Sequence, residues 1–365
     1  MIKYLFCILL LLFTFRSLCA TNDTKTCRIV MKDGGVLYGC LVIPTSAQSH
    51  KKKTLVIVVP SPLRTGEDYE FLSDSLTAKG IALFIYENRL NLAMSPDLPK
   101  PGLIPTNKVK PKYSFRDIAS DVVEIYHYLR SQQRLRKYKI GFLGHSEGGM
   151  SSLVASSMVS PDFLVEIATP TVSGNDFIYS QNTFLTPGKF ELLKQIFNLS
   201  EKELSVLNYY SEKLITKDSL DYEKYQKKMM DKVGLVIRDD NRKEMLKYYI
   251  CAQWTLRNNH DMAILNLNPY EYYRKVKCPV LFVACARDEM TYSLRDITNL
   301  EKIMYKENKQ FYTALINTTH SFLKYPSYLM HHTLGDFEND KENSKEWESV
   351  GQVVNLITSW MNTIF

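Results

Sequence analysis

The sequence predicts an α/β protein with a mostly parallel sheet, helices on both faces, an N-terminal β-hairpin and an inserted helical cap. Three observations lead there. Short β-branched apolar runs alternate with amphipathic helical segments; two strand-like runs flank Asp33-Gly34-Gly35; and about a hundred residues, 171–269, carry helical patterning without a strand signal.

The chain opens with Lys3, an apolar stretch from Tyr4 to Phe15, and Ser17-Leu18-Cys19-Ala20 ahead of polar sequence. This is the layout of a secretory signal peptide over residues 1–20, and its apolar part is short for a bilayer span. Cleavage after Cys19 or Ala20 is expected, which makes the mature protein secreted or periplasmic. A lipid anchor on Cys19 and an uncleaved leader are the alternatives; Leu18 argues against the first, because a small residue is expected there.

Next come Cys27–Lys32 and Val36–Val42, the arms of the hairpin. With Asp33-Gly34 as a two-residue turn, Lys32 faces Gly35, and counting outward sets Cys27 opposite Cys40 in a non-hydrogen-bonded pair. A cross-strand Cys27–Cys40 disulfide is therefore expected, in keeping with an oxidising compartment; two buried free thiols are the alternative. Cys251, Cys278 and Cys285 lie in apolar contexts and read as core, and their spacing suggests no metal site.

Thr54–Val59 is a continuous β-branched run, the mark of a buried strand. Phe71–Lys79 reads as a helix, Ile81–Tyr86 as a strand, Asn91–Lys112 as an irregular Pro- and Lys-rich loop, and Phe115–Leu129 as an amphipathic helix. Phe163–Ala168, Pro279–Cys285 and Phe311–Ile316 are further strands. The cap, 171–269, divides a core of residues 21–170 and 270–365. Its Phe177, Tyr179, Phe184, Tyr209, Tyr210, Tyr248, Tyr249 and Trp254 could supply an apolar acyl pocket, but most of them read first as cap core and cap-to-core packing.

Composition narrows the function. Of 365 residues 45% are hydrophobic and 23% charged, with 46 basic and 39 acidic side chains for a net +7. Losing Lys3 and Arg16 with the leader leaves 44 against 39, or +5. So mild an excess, with no basic arm, argues against nucleic acid. Asn22, Asn198 and Asn317 open N-x-S/T sequons.

The chemistry centres on Gly144-His145-Ser146-Glu147-Gly148, between the apolar Ile140-Gly141-Phe142-Leu143 and the helix-like Gly149–Ala155. A strand entering G-x-S-x-G and leaving as a helix holds a serine on a strained turn with its hydroxyl exposed. Such a nucleophile needs a base and a carboxylate to orient it, in the chain order Ser, Asp or Glu, His. Asp288 follows the strand at Pro279–Cys285, and His320 follows the strand at Phe311–Ile316. Because active groups of open α/β sheets gather at strand carboxyl ends, Ser146, Asp288 and His320 are the expected triad. Glu289 and Asp296 are rival carboxylates. Among seven histidines His331 and His332 are rival bases, while His50 and His260 lie in polar segments, His127 in a helix and His145 inside the motif.

From about Leu55 to the C-terminus the residues resemble the α/β-hydrolase superfamily, and within it the secreted carboxylesterases of the esterase D and serine aminopeptidase-like group. The resemblance is carried by Gly144-His145-Ser146-Glu147-Gly148-Gly149, Ala168–Gly174, Cys278-Pro279-Val280-Leu281 and Asn317–Phe322. It implies hydrolysis of esters, thioesters or amides through an acyl-enzyme, on a small acyl substrate and without metal or organic cofactor. Two departures stand out. The turn after the first long strand, glycine-rich in such enzymes, reads Pro60-Ser61-Pro62-Leu63, and proline has no N–H to give an oxyanion. Ser61 or Leu63 must then serve beside the Glu147 N–H, with Ser61 preferred. At Tyr86-Glu87-Asn88-Arg89-Leu90 the arginine is kept and the usual glycines are lost. An aminopeptidase whose Glu201, Glu203 or Asp239 holds a substrate amino terminus, and a non-catalytic binding protein on the same scaffold, are the competing expectations.

Overall fold

The computed structural model describes residues 22–45, 53–61, 69–86, 88, 115–182, 193–194, 197–214, 222–244, 246–247, 264, 266–320 and 350–365. The expected leader, the loop 91–112, Cys251, His331 and His332 lie outside them. Among the described residues no helix is long and apolar enough to cross a membrane.

Eight strands form one sheet: β1 (Asn22–Val30), β2 (Val36–Pro44), β3 (Lys53–Val59), β4 (Ala82–Tyr86), β5 (Tyr138–His145), β6 (Leu164–Ile167), β7 (Val280–Cys285) and β8 (Phe311–Ile316). Their spatial order is β1-β2-β4-β3-β5-β6-β7-β8. β2 runs antiparallel to β1 and β4, and all other pairs are parallel. The helices are α1 (Glu70–Ala78), α2 (Phe115–Ser131), α3 (Glu147–Met158), α4 (Gly174–Asn182), α5 (Glu201–Leu214), α6 (Tyr222–Val236), α7 (Pro269–Tyr273), α8 (Ser293–Lys306) and α9 (Val350–Ile364). After β3 the chain turns to β4 on one side and later returns to β5 on the other. That reversal opens a crevice at the carboxyl ends of β3 and β5, the usual place for a site in such a sheet.

Period-two alternation explains how the central strands are buried twice over. Leu55, Ile57 and Val59 join Ile140 and Phe142 in a core under α2, α3, α7 and α8. Val56, Val58, Leu143, Leu281 and Val283 point to the other face, which α1 and α9 cover. The amphipathic reading of α2 is realised at Phe115, Ile118, Ala119, Val122, Ile125, Tyr126 and Leu129, all buried. Phe142 meets the Tyr126 ring edge-on at 5.7 Å, and trimming such a fully enclosed ring to alanine costs about 3–5 kcal/mol.

The hairpin corrects the expected disulfide. Met31 pairs across the loop with Gly35, Gly34 donates its N–H to the Met31 carbonyl, and Gly34 takes φ 83°. Lys32-Asp33-Gly34 is therefore a three-residue loop closed by a left-handed glycine, not a two-residue turn. The Asp33 side chain also accepts the Gly35 N–H at 2.9 Å, which fixes this longer form. Its register sets Cys27 opposite Gly39 and Thr26 opposite Cys40. One residue of slip turns the two cysteines to opposite sheet faces. Both are buried and no disulfide joins them, so the inference of an oxidising compartment from that pair falls with it.

Candidate active site

At the end of β5 the chain reverses through Ser146, whose φ of 56° and ψ of −123° lie where a residue with a side chain is strained. Its backbone is pinned: the N–H donates to the Ile167 carbonyl at 2.8 Å, and its carbonyl accepts from Gly149 at 3.0 Å. Close approach of strand and helix permits only glycine on either side. A Cβ on Gly144 would meet the Gly148 carbonyl oxygen at 2.5 Å, and one on Gly148 would collide with the Val59 carbonyl at the end of β3. Glu147 is the first residue of α3, so its N–H belongs to a helix start, where donors lack intrahelical partners and the dipole favours negative charge.

Across the sheet, parallel pairing of Cys285 with Ile316 aligns the ends of β7 and β8, and the loops beyond them stay joined through the Arg287 N–H and Thr318 carbonyl at 3.0 Å. Asp288 and His320 sit in those loops. The His320 Nδ1 lies 2.9 Å from Asp288 Oδ2 and 3.0 Å from Oδ1. Asp288 Oδ1 also accepts the Met290 and Thr291 N–H groups, each at 2.7 Å. The carboxylate is thus held by three partners in a buried place.

The rival carboxylates have other duties. Glu289 accepts the backbone N–H of His320 at 3.1 Å, and burial, with the neighbouring Asp288 charge, pushes its pKa up to about 7. Asp296 accepts the Thr171 N–H at 3.0 Å, and burial lifts it to about 6. His320 is brought beside the serine turn by His145: their ring centroids are 4.9 Å apart, and His145 Nε2 lies 2.7 Å from the His320 carbonyl oxygen.

At the turn after β3, the Ser61 N–H donates to the Tyr69 hydroxyl at 3.2 Å, and the Ser61 carbonyl accepts from Asn88 Nδ2 at 3.3 Å. The donor expected for an oxyanion is therefore directed at a phenol oxygen. Leu63 lies outside the described residues.

Between β6 and β7 the described chain is helical. The three carboxylates expected to hold an amino terminus each have a partner. Ser200 and Glu203 form a reciprocal capping box, the Ser200 N–H donating to Glu203 at 2.7 Å and the Glu203 N–H to the Ser200 hydroxyl at 3.3 Å. Burial alone would raise the Glu203 pKa, but these bonds and the Arg242 guanidinium at 3.0 Å bring it below the ordinary value. Lys194 holds Glu201, and Asp239 caps the Arg242 N–H at 2.8 Å. Phe177 is core, whereas Tyr209 is exposed and packs edge-on against Tyr210, with lysine ammonium groups over both rings. Phe184, Tyr248, Tyr249 and Trp254 fall outside the described residues.

Sequence reasoning passed over Tyr69 and gave His145 no task, although both border the site. A histidine inside the motif was the available signal; Tyr69 carried none, since only folding brings it to Ser61.

No protein-family model matches the chain, and no curated protein does. Solved structures do resemble it. Est1E from Butyrivibrio proteoclasticus is 12% identical over 93% of this chain and 98% of its own, with a TM-score of 0.51. Carboxyl esterase 2 from Tuber melanosporum is 12% identical over 93% and 88%, at 0.49. A dienelactone hydrolase from Anabaena variabilis is 13% identical over 94% and 98%, at 0.47. With the strand order described above, the chain has the α/β-hydrolase fold.

Proposed function

We propose that the protein is a serine hydrolase cleaving carboxylic esters, with thioesters in its range, through an acyl-enzyme. One observation carries this reading: His320 Nδ1 is held between both oxygens of buried Asp288, beside a strained serine at a strand-to-helix turn. Ser146 Oγ attacks the substrate carbonyl while His320 Nε2 takes its proton. The same proton passes to the departing alcohol as the tetrahedral adduct collapses. Water then repeats the sequence on the acyl-serine. Asp288 fixes the Nδ1–H tautomer and steadies the imidazolium. The Glu147 N–H faces the developing oxyanion, and Ser61 joins it on releasing the Tyr69 hydroxyl; each such donor is worth roughly a hundredfold in rate.

Replacing Ser146 with alanine is expected to abolish turnover of p-nitrophenyl acetate and labelling by a fluorophosphonate, with the fold unchanged. Undiminished turnover in that variant would sink the proposal. The observation that Ser61 is engaged by Tyr69 favours a second reading, a binding protein on a hydrolase scaffold. It predicts no labelling of the wild-type serine. For the amide-cleaving reading, Glu203 is committed to Ser200 and Arg242, while Glu201 and Asp239 are exposed carboxylates whose partners are a lysine and a backbone N–H. Comparing an ester and an aminoacyl amide of one acyl group separates the two. Export through the leader at residues 1–20 and the boundaries of the cap at 171–269 belong to the same proposal; mass spectrometry of the mature N-terminus tests the first.

A further inference from the structure

With His145 as a neutral imidazole, the hydrogen bonds around it can be given a direction. A carbonyl only accepts, so the His145 nitrogen at 2.7 Å from the His320 carbonyl, Nε2, carries the proton. In the neutral ring Nδ1 is then an acceptor, and the Tyr69 hydroxyl at 3.5 Å is its donor. That leaves the phenol oxygen to accept the Ser61 N–H at 3.2 Å, while the Ser61 carbonyl accepts from Asn88. The Tyr69 ring meets His145 edge-on at 6.1 Å, and Tyr69, His145 and His320 are all buried. A buried network polarised in one sense is stronger than its separate bonds.

Resting on the reading of Ser146 as nucleophile, we propose that Tyr69 and His145 are positioning residues, a brace tying the turn after β3 to the loop of the catalytic base through the residue preceding the nucleophile. The brace completes the hold on His320. Its backbone N–H is taken by Glu289 and its carbonyl by His145, so the imidazole swings on a fixed backbone with Asp288 as its stop. Ser61, at the other end, is fixed by the same chain of bonds. The serine turn, the oxyanion turn and the base loop come from three strands far apart in sequence. Backbone bonds past the strand ends join the serine turn to β6 and the His320 loop to that of Asp288; the side chains of Tyr69 and His145 add the link from Ser61 to the His320 carbonyl.

The test uses the full chain with Tyr69→Phe, His145→Phe, the double variant and His145→Gln. Readouts are kcat and KM for p-nitrophenyl acetate, the rate of fluorophosphonate labelling and Tm. Loss of the brace is expected to lower kcat and labelling roughly tenfold with KM little changed, since small misplacements of reacting groups are costly. The double variant is expected to be no worse than either single one, because both cut one chain of bonds. Gln places an amide donor near the Nε2 position and is expected to restore most of the loss.

Variants that lower Tm while keeping wild-type kcat and labelling overturn the brace, as does strict additivity. Should His145→Phe not fold, Tyr69→Phe decides alone, since it removes one oxygen and keeps the ring. A wild-type chain that neither turns over ester nor labels removes the nucleophile reading and the brace together; an active wild type with an unaffected Tyr69→Phe removes the brace only.

Discussion

His320 presents Nδ1 to both carboxylate oxygens of Asp288, at 2.9 and 3.0 Å, and the same carboxylate accepts two backbone N–H groups from the loop that follows it. On the proposed reading one acid therefore orients the base, and it also ties down its own loop. Asp288→Asn keeps the size and removes the charge, so the imidazole loses both its tautomer preference and the partner of its protonated form. A fall in kcat on the order of 10³–10⁴ is expected with KM nearly unchanged. Because an amide accepts less strongly from Met290 and Thr291, stability is expected to drop by about 1–3 kcal/mol. Steady-state kinetics and thermal unfolding of one sample check both halves.

Ser146 holds its place on the turn at a cost in backbone strain. Its φ of 56° with ψ of −123° costs on the order of 1–3 kcal/mol for a residue bearing a Cβ, and glycine is nearly free of that cost. Against this, glycine loses about 0.5–1 kcal/mol through its freer unfolded chain. Ser146→Gly is therefore expected to be more stable than Ser146→Ala by about 1 kcal/mol, both being inactive. Urea denaturation gives the comparison, and equal stability would show that the turn carries no strain.

Cys27 and Cys40 occupy opposite faces of the hairpin, so air oxidation cannot join them without a register shift. Thiol titration of the denatured protein is expected to find both free, with or without prior reductant, and reductant is expected to leave Tm unchanged. A peptide linking the two cysteines in a non-reducing digest would restore the two-residue turn.

The parts of the site readable from the sequence are those that follow strands. β7 announces itself by an unbroken apolar run and β8 by a short aromatic and β-branched one, and Asp288 and His320 are the first candidates beyond them. Ser146 is marked by glycines that the crossing of β5 and α3 demands. The hairpin register was not readable, because Asp33-Gly34-Gly35 suits two-residue and three-residue loops alike, and the choice lies in whether Asp33 joins Gly34 at positive φ, which it does not. Nor was Tyr69, which reaches Ser61 only after α1 packs on its face of the sheet. Pairings between side chains of separate loops leave no periodic trace in a sequence.

Three buried acids set the pH dependence of stability. Burial raises Glu166 to about 8, against the opposing hydrogen bond from the Tyr273 hydroxyl at 2.7 Å; it raises Glu289 to about 7 and Asp296 to about 6. Unfolded, these groups release their protons near pH 4 to 4.5. Between there and about pH 8 the folded chain holds more protons than the unfolded one, so their contribution makes stability fall as pH rises through that window. Glu166 lies deepest, and its Oε1 finds no hydrogen-bond partner among the described residues, so ionising it is costly. Glutamine matches the protonated acid in shape and cannot ionise. Glu166→Gln is expected to match the wild type near pH 4 and to exceed it increasingly up to pH 8, by about 1.4 kcal/mol for each tenfold change in dissociation that folding imposes on the acid. Thermal unfolding of both proteins across pH 4 to 8 measures the difference, and parallel curves would mean that Glu166 ionises in the fold without penalty.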